Sequence, residues 1–195
     1  MQDPASSLAI ASVSGLKPRM IVDACAGQGT KTRQLAAVFP EASIIASDTD
    51  PGRFATLRAT FEGHPRIEVI PARMLLQRAH GAADLLLLDV PCSNTGVLAR
   101  RPEARYRCSD EQLKRLTGIQ RQIFADTLSL LRPAPRGQVL YSTCSLDPEE
   151  NRAIVEWACG WHSFRVVSQT STLPEGLPGG DAAAYHDGSY SALLG

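Results

Sequence analysis

The sequence predicts an α/β protein built on a seven-stranded, mostly parallel sheet with helices on both faces. Short runs rich in leucine and β-branched residues alternate with longer stretches of helical period, the pattern of strands joined by crossover helices. One run, Leu85 to Leu88, is unbroken leucine between Asp84 and Asp89. That suits a central strand buried on both faces, where in-out alternation disappears. A glycine turn after the first run marks where a strand hands over to a helix.

Taken in order, strands are expected over residues 20–24, 43–47, 67–70, 84–89, 138–142, 163–167 and 189–193. Helices are expected over 31–38 and 52–61, and over 112–131, where Leu116, Ile119, Ile123, Phe124 and Leu131 keep helical spacing and form a core-facing stripe. Ser109 with Gln112 offers a capping box, and Pro133, Pro135 and Gly137 stop that helix. Asp147, Pro148 and Glu150 stand where an N-cap, an N1 proline and an N3 glutamate belong, so a helix should run from there to about Ala158. The Pro/Gly-rich stretch 173–180 reads as a loop.

A chain of 195 residues with 44% hydrophobic content is read as one domain, able to bury roughly 70% of its unfolded surface. Twenty basic and twenty acidic residues cancel, which excludes a histone-like binder, so any polyanion site must be local. Residues 98–115 supply one, with six basic residues against three acidic; Arg100, Arg101, Arg105 and Arg107 are the candidate phosphate contacts. The longest aliphatic run falls far short of the ~20 residues that span a bilayer. Asp3 and nearby serines give no export signal. Five cysteines without a CxxC pair argue against a disulfide framework and a zinc site. The four histidines lack ligand spacing, so no metal is expected. The expected compartment is reducing cytoplasm.

Between Asp23 and Lys31 the chain passes from strand to helix through Cys25, Ala26, Gly27, Gln28, Gly29 and Thr30. Its glycines let backbone approach a ligand at the helix N-terminus. The spacing is neither GxGxxG nor GxxxxGK[ST], which weighs against dinucleotides and ATP. Asp48 ends the second strand, where open α/β sheets place a carboxylate on a ribose hydroxyl pair. An adenosine-containing cofactor follows, with Arg53 joining the candidate set.

Cys92 and Cys144 directly follow the fourth and fifth expected strands, at the carboxyl ends where such sheets bind ligands. If those strands are neighbours, ~4.8 Å apart, both thiols and Asp89 converge. Cys108 and Cys159 are assigned the commoner part of small core residues. Two thiols and an acid beside an adenosine cofactor suit methylation of cytosine at carbon 5, which is too electron-poor to accept a methyl group until a thiolate adds to carbon 6. A thiol of pKa ~8.5 needs activation, for which neighbouring arginines are candidates.

These residues identify a resemblance. The chain resembles the RNA cytosine-5 methyltransferases of the Nop/Sun type in Gln2 to Ser6, the Asp23 to Lys31 loop, Asp48, Asp89-Val-Pro-Cys92 with Thr95 and Gly96, Thr143-Cys-Ser145 with Pro148-Glu-Glu-Asn151, and His186-Asp-Gly188. The resemblance implies a Rossmann-like methyltransferase fold and S-adenosylmethionine lying along Cys25 to Lys31 with its ribose on Asp48. It implies that Cys144 is the nucleophile, that Cys92 expels it after methyl transfer, and that Asp89 contacts the base near its ring nitrogen. Ribosomal or transfer RNA is the implied partner of a monomeric enzyme. Four departures stand out. The loop reads Gly27-Gln-Gly-Thr-Lys31 where the family usually has Ala-Pro-Gly-Gly-Lys. Pro71 occupies the place of an aspartate that holds adenine, and Ala104 that of a lysine. The N-terminal RNA-binding portion usual in the family is expected to be missing. A catalytically impaired RNA-binding or ribosome assembly factor is the alternative; Pro71 and the altered loop favour it, and both cysteines oppose it.

Overall fold

The computed structural model describes residues 4–107, 109–133, 137–176 and 184–195, with the Arg107 side chain left out. Seven strands, β1 (Met20–Asp23), β2 (Ser43–Ala46), β3 (Ile67–Val69), β4 (Leu85–Asp89), β5 (Gln138–Thr143), β6 (Val166–Thr172) and β7 (Ser189–Leu194), form one sheet. Their order is β3-β2-β1-β4-β5-β7-β6. β1 to β5 run parallel, and β7 is antiparallel between β5 and β6. The chain winds outward from β1 to β3, then crosses back to β4 beside β1. That reversal opens a crevice off the carboxyl ends of β1 and β4.

Period-two alternation explains the leucine run. Leu85 and Leu87, with Ile21, Ile44 and Leu140, face α1 (Pro4–Ala11), α2 (Thr30–Val38) and α3 (Pro51–Thr60) through Ile10, Leu35 and Leu57. Leu86 and Leu88, with Val22, Ile45 and Val139, face α4 (Leu75–Ala79), α5 (Asp110–Thr127) and α6 (Arg152–His162) through Leu75, Phe124 and Ile154. All four leucines are 0% exposed. Among the described residues no helix is long and apolar enough to cross a membrane.

Most expected strands fall within a residue or two of their observed limits, and the differences have causes. Ser109 Oγ accepts from Gln112 N at 3.2 Å and caps α5 as expected. The helix ends at Thr127, whose hydroxyl donates to Ile123 O at 2.8 Å; the chain then tightens into a 3-10 turn, Leu128–Leu130. The helix expected from Asp147 instead begins at Arg152 and runs to His162. Asp147, Glu150 and Asn151 satisfy the cap pattern but point inward. Asn151 accepts from Thr143 Oγ1 at 2.6 Å and donates to Ser145 O at 2.8 Å, while Asp147 accepts from Ser93 and Thr95. Ser163 takes a left-handed turn, φ 58°, which ends α6 and delays the strand expected at 163–167 to Val166–Thr172. β6 is an exposed edge without an apolar pattern. α1 and α4 were not expected from periodicity. Of the loop at 173–180, Glu175 pairs with His186; residues 177–180, together with Gln2, Asp3, Cys108 and Pro135, lie outside the described residues.

Gly96 sits where three segments meet. Its N–H donates to Cys144 O at 2.9 Å and its carbonyl accepts from Gly188 N at 2.7 Å. A Cβ there would lie 2.6 Å from Gly188 O and 2.7 Å from Cys144 O, both backbone. Gly96→Ala is therefore expected to lower unfolding free energy by ~1–3 kcal/mol through overpacking. Gly15→Ala, where nothing lies within 4 Å, should stay within ~0.5 kcal/mol of wild type. Urea denaturation reads both, and equal midpoints for Gly96→Ala and wild type would refute the constraint.

Candidate active site

The carboxyl ends of β1, β2 and β4 open onto a cleft of about 1040 Å³. Between β1 and α2 the chain turns through Gly27 (φ 58°) and Gly29 (φ 92°), conformations that L side chains rarely adopt. Cys25, Ala26, Gly27, Gln28, Thr30 and Lys31 line the cleft. Gly29 does not line it; a Cβ there would strike the Phe61 ring, so its glycine serves close packing of the loop on α3. At the end of β2, Asp48 is 6% exposed. Its carboxylate accepts from Gly27 N at 2.9 Å and Asp50 N at 2.8 Å, and pairs with the Arg53 guanidinium at 3.2 Å. Three of roughly four acceptor sites are thus occupied, and the carboxylate ties the glycine loop to the start of α3. Ala72, Leu75 and Leu76, which follow Pro71, give the cleft an apolar wall.

Asp23 lies beneath the loop, fully buried. Thr32 Oγ1 donates to its Oδ2 at 2.7 Å, while Oδ1 has no hydrogen-bond partner among the described residues. Burial, with a smaller contribution from the nearby Asp89 charge, pushes its pKa up to about 7.

β4 and β5 are indeed neighbours, with Asp89 opposite Ser142, and the segments leaving them bring the two thiols together. Cys92 Sγ lies 3.3 Å from Cys144 Sγ. Asn94, held in the left-handed region at φ 64°, has Oδ1 3.1 Å from Cys144 Sγ and donates from Nδ2 to Cys92 O at 2.9 Å. Lys31 Nζ donates to Asp89 Oδ2 at 2.9 Å and to Ser6 Oγ of α1 at 3.3 Å. Ser142 Oγ donates to Asp89 Oδ1 at 2.6 Å. Burial works against the Lys31 charge, but the adjacent Asp89 outweighs it and raises the ammonium pKa.

The thiols of the cleft differ electrostatically. A hydrogen bond from Cys92 lowers the Cys144 pKa, and the Lys31 and Arg101 charges act in the same direction against burial and Asp89. The same hydrogen bond, followed by burial, drives Cys92 well up. Burial, then Asp23 and Asp89, push Cys25 up. Lys31 and Arg101 thus favour a charge on Cys144 over Cys92, while Asn94 Oδ1 accepts from Cys144 in its thiol form. Among the activating cations, Lys31 precedes Arg101. The sequence alone places Lys31 on the glycine loop and points to arginines as activators. One signal was available: a cation in the first turn of a helix is misplaced in the helix dipole unless carboxylates hold it there.

Glu150 is the site residue that the cap pattern assigns to a helix N-terminus instead. Fully buried, its carboxylate accepts from Ser93 N at 3.0 and 3.1 Å, from Ser93 Oγ at 2.5 Å and from Gln120 Nε2 of α5 at 3.0 Å. It fixes the residue next to Cys92.

The candidate phosphate contacts separate into different environments. Arg100 forms an ion pair with Asp187, which also accepts from Tyr185 OH at 2.8 Å; this ties the basic segment to the His186-Asp-Gly188 motif. Arg101 lines the cleft. Arg105 lies over the exposed Tyr106 ring at 4.7 Å. Ala104 is buried. The Arg107 side chain is outside the described residues. Among the described residues no group of three or more His, Cys, Asp or Glu side chains could hold a metal ion.

A doubly wound sheet with an antiparallel seventh strand and a glycine loop at its switch point defines a Rossmann-like methyltransferase fold. The chain belongs to the 16S rRNA methyltransferase RsmB/F family, whose pattern matches residues 14–181. It is 32% identical over 204 residues to ribosomal RNA small subunit methyltransferase B of Vibrio cholerae serotype O1, covering 100% of this chain and 45% of that protein. It is also 32% identical to ribosomal RNA small subunit methyltransferase F of Escherichia fergusonii, covering 96% of this chain and 40% of the relative. The chain thus spans less than half the length of these relatives. Among solved structures, PH0851 superposes with a TM-score of 0.83 at 27% identity, covering 100% of this chain and 46% of that one. NSun6 from Pyrococcus horikoshii, solved with SFG, gives 0.76 at 25% identity, covering 99% and 52%.

The Asp23 carboxyl makes stability pH-dependent. Its folded pKa of about 7 exceeds the ordinary 3.8, so the stability it contributes is fully present below about pH 3.8 and lost as pH rises through 7. Asp23→Asn can still accept from Thr32 and does not ionise. Relative to wild type it should gain stability between pH 4 and pH 8, by ~4 kcal/mol at most. Denaturant titrations at several pH values check this, and parallel stability curves for the two proteins would sink it.

Proposed function

We propose that this chain is the catalytic domain of an enzyme that methylates carbon 5 of cytosine in ribosomal or transfer RNA, using S-adenosylmethionine and a covalent cysteine adduct. The observation that carries the reading is the 3.3 Å contact between Cys92 and Cys144, beside the Lys31–Asp89 pair and on the same cleft as the glycine loop. The names of the methyltransferase B and F relatives support the RNA class. SFG, an S-adenosylmethionine analogue, in the similar NSun6 structure supports the cofactor.

The chain's own residues fit that cofactor. Gly27, at positive φ on the cleft wall, makes room for close backbone approach, and a buried carboxylate stands at the end of β2. Cys25, Ala26, Gly27, Gln28, Thr30, Lys31, Asp48 and Arg53 would hold S-adenosylmethionine, with its ribose against Asp48. When bound, it supplies an electrophilic methyl group.

The Cys144 thiolate adds to carbon 6 of cytosine, forming a carbon–sulfur bond and moving the electron pair toward carbon 5. Asp89, with the Lys31 ammonium on its Oδ2 as a proton source, faces the ring nitrogen where negative charge gathers. Carbon 5 then accepts the methyl group. Cys92 was held protonated mainly by its bond to Cys144. Once that sulfur is bonded to carbon, the largest restraint is removed, and Cys92 gives its proton to solvent in the open cleft against the remaining cost of burial. The Cys92 thiolate takes the proton from carbon 5, the ring nitrogen returns its proton to the Asp89–Lys31 pair, the carbon–sulfur bond breaks with its electron pair leaving on Cys144, and the Cys144 thiolate and the aromatic ring are restored. Arg101, Arg105 and Lys114 supply the local positive field for phosphates. Arg100 acts through its pair with Asp187 as a positioning residue.

Two experiments test this reading. Cys144→Ala should abolish methyl transfer to 16S rRNA and form no covalent species. Cys92→Ala should still add to the base but release it slowly, leaving a methylated protein–RNA adduct on denaturing gels. An adduct that accumulates in Cys144→Ala would reverse the assignment. Asp48→Ala should weaken S-adenosylmethionine binding by calorimetry roughly ten- to hundredfold, since it removes a charge-assisted acceptor. An unchanged dissociation constant would remove Asp48 from the cofactor site.

A further inference from the structure

We infer that a second, smaller pocket behind the Cys92 loop is a subsite for the nucleotide adjacent to the target cytidine in the RNA strand, an inference that rests on the reading of the thiol site just given. This pocket holds about 200 Å³. Cys92, Asn94 and Arg101 line both it and the main cleft, so the two cavities lie on either side of one partition that carries a reacting thiol. A strand that presents a cytosine to Cys144 must place its next nucleotide one backbone step away. The pocket is an available place within that reach.

Its walls suit an unstacked base and its phosphate. Ala104 and Leu116, 5% and 6% exposed, contribute buried apolar surface. Arg101 and Arg115 contribute planar guanidinium groups, on which bases stack and which pair with phosphate oxygens. Arg115 is oriented by its Nε donating to Gln112 Oε1 at 3.2 Å. Glu103 is the one carboxylate among the lining residues, against two arginines. The partition itself is rigid. Ser93 is held by Glu150 on both its N–H and its hydroxyl, and Asn94 is locked in the left-handed region across Cys92 O and Cys144 Sγ. A cavity of this size accommodates a single nucleotide rather than a duplex, which agrees with sequence-specific RNA recognition acting on splayed single strands.

The test uses short single-stranded RNA carrying one 5-fluorocytidine in otherwise randomised sequence. With S-adenosylmethionine present, methyl transfer leaves carbon 5 bearing fluorine and no proton for removal, so the Cys144 adduct persists and its formation rate is read on denaturing gels. Replacing the nucleotide on one side of the target by an abasic unit should slow wild-type adduct formation roughly tenfold, and the same replacement on the other side should have little effect. Ala104→Leu fills the pocket and Arg115→Ala removes a wall. Each should slow trapping of intact RNA roughly tenfold, abolish the abasic penalty, and leave S-adenosylmethionine affinity unchanged by calorimetry. The affinity measurement excludes misfolding as the cause, and the abasic comparison in wild type needs no variant. The assignment is overturned if neither abasic position slows trapping, or if the penalty persists in both variants. Wild-type protein that traps no RNA would overturn the covalent mechanism and the subsite with it, an outcome distinct from normal trapping that ignores the neighbours.

Discussion

Because β4 pairs in parallel with β5 from Leu85 opposite Gln138 to Asp89 opposite Ser142, the two segments leave the sheet side by side and at the same height. Cys92 and Cys144 lie three and two residues beyond that last pair, so the ladder register sets their 3.3 Å approach. A slip of one residue would turn every side chain of the strand to the other face. It would send each leucine into the opposite core layer and separate the thiols together. The buried leucines that stabilise the sheet therefore also hold the chemistry in place. Gly96, bonded to both Cys144 O and Gly188 N, extends that restraint past the end of the ladder.

Four carboxylates gather near this end of the sheet, and each answers the cost of burial differently. Asp48 takes two backbone N–H groups and an arginine. Asp89 takes a lysine and a serine. Glu150 is satisfied by neutral donors from Ser93 and Gln120. Asp23 has one hydroxyl and an oxygen without a partner, and meets the deficit by holding a proton to about pH 7. These solutions divide the work of the site. Of these four, the cationic partners lie on Asp48 and Asp89, the two that line the cleft, while Glu150 stabilises loop geometry without drawing a cation away from Cys144.

What the sequence made legible follows the range of the forces involved. Strand positions, the central leucines and the Ser109 cap depend on local period and short-range chemistry, and they appear where the pattern puts them. The convergence of Asp89, Cys92 and Cys144 was legible because a doubly wound sheet fixes which strand ends are neighbours. The start of α6 was not. Asp147, Pro148 and Glu150 meet every local requirement of a helix N-terminus, yet hydrogen bonds to residues more than 50 positions away, at Ser93 and Thr95, claim their side chains. The Lys31 ion pair was not legible for the same reason, since its partner Asp89 is 58 residues distant. The pairing of Arg100 with Asp187, 87 residues on, was equally out of reach of local pattern.

That last pairing changes how the basic segment relates to the thiols. With Arg100 engaged by a buried carboxylate at the start of β7, the positive charge of residues 98–115 is displayed by side chains on either side of an internal anchor. The anchor belongs to the same backbone knot as Cys144: Asp187 precedes Gly188, Gly188 donates to Gly96, and Gly96 donates to Cys144 O. On the proposed reading, RNA phosphates engage a segment that is pinned to the nucleophile's own carbonyl. Binding energy gathered along the strand can then position the base against Cys144 without a separate moving part, because the segment that grips the backbone and the segment that attacks the ring are held by one set of hydrogen bonds.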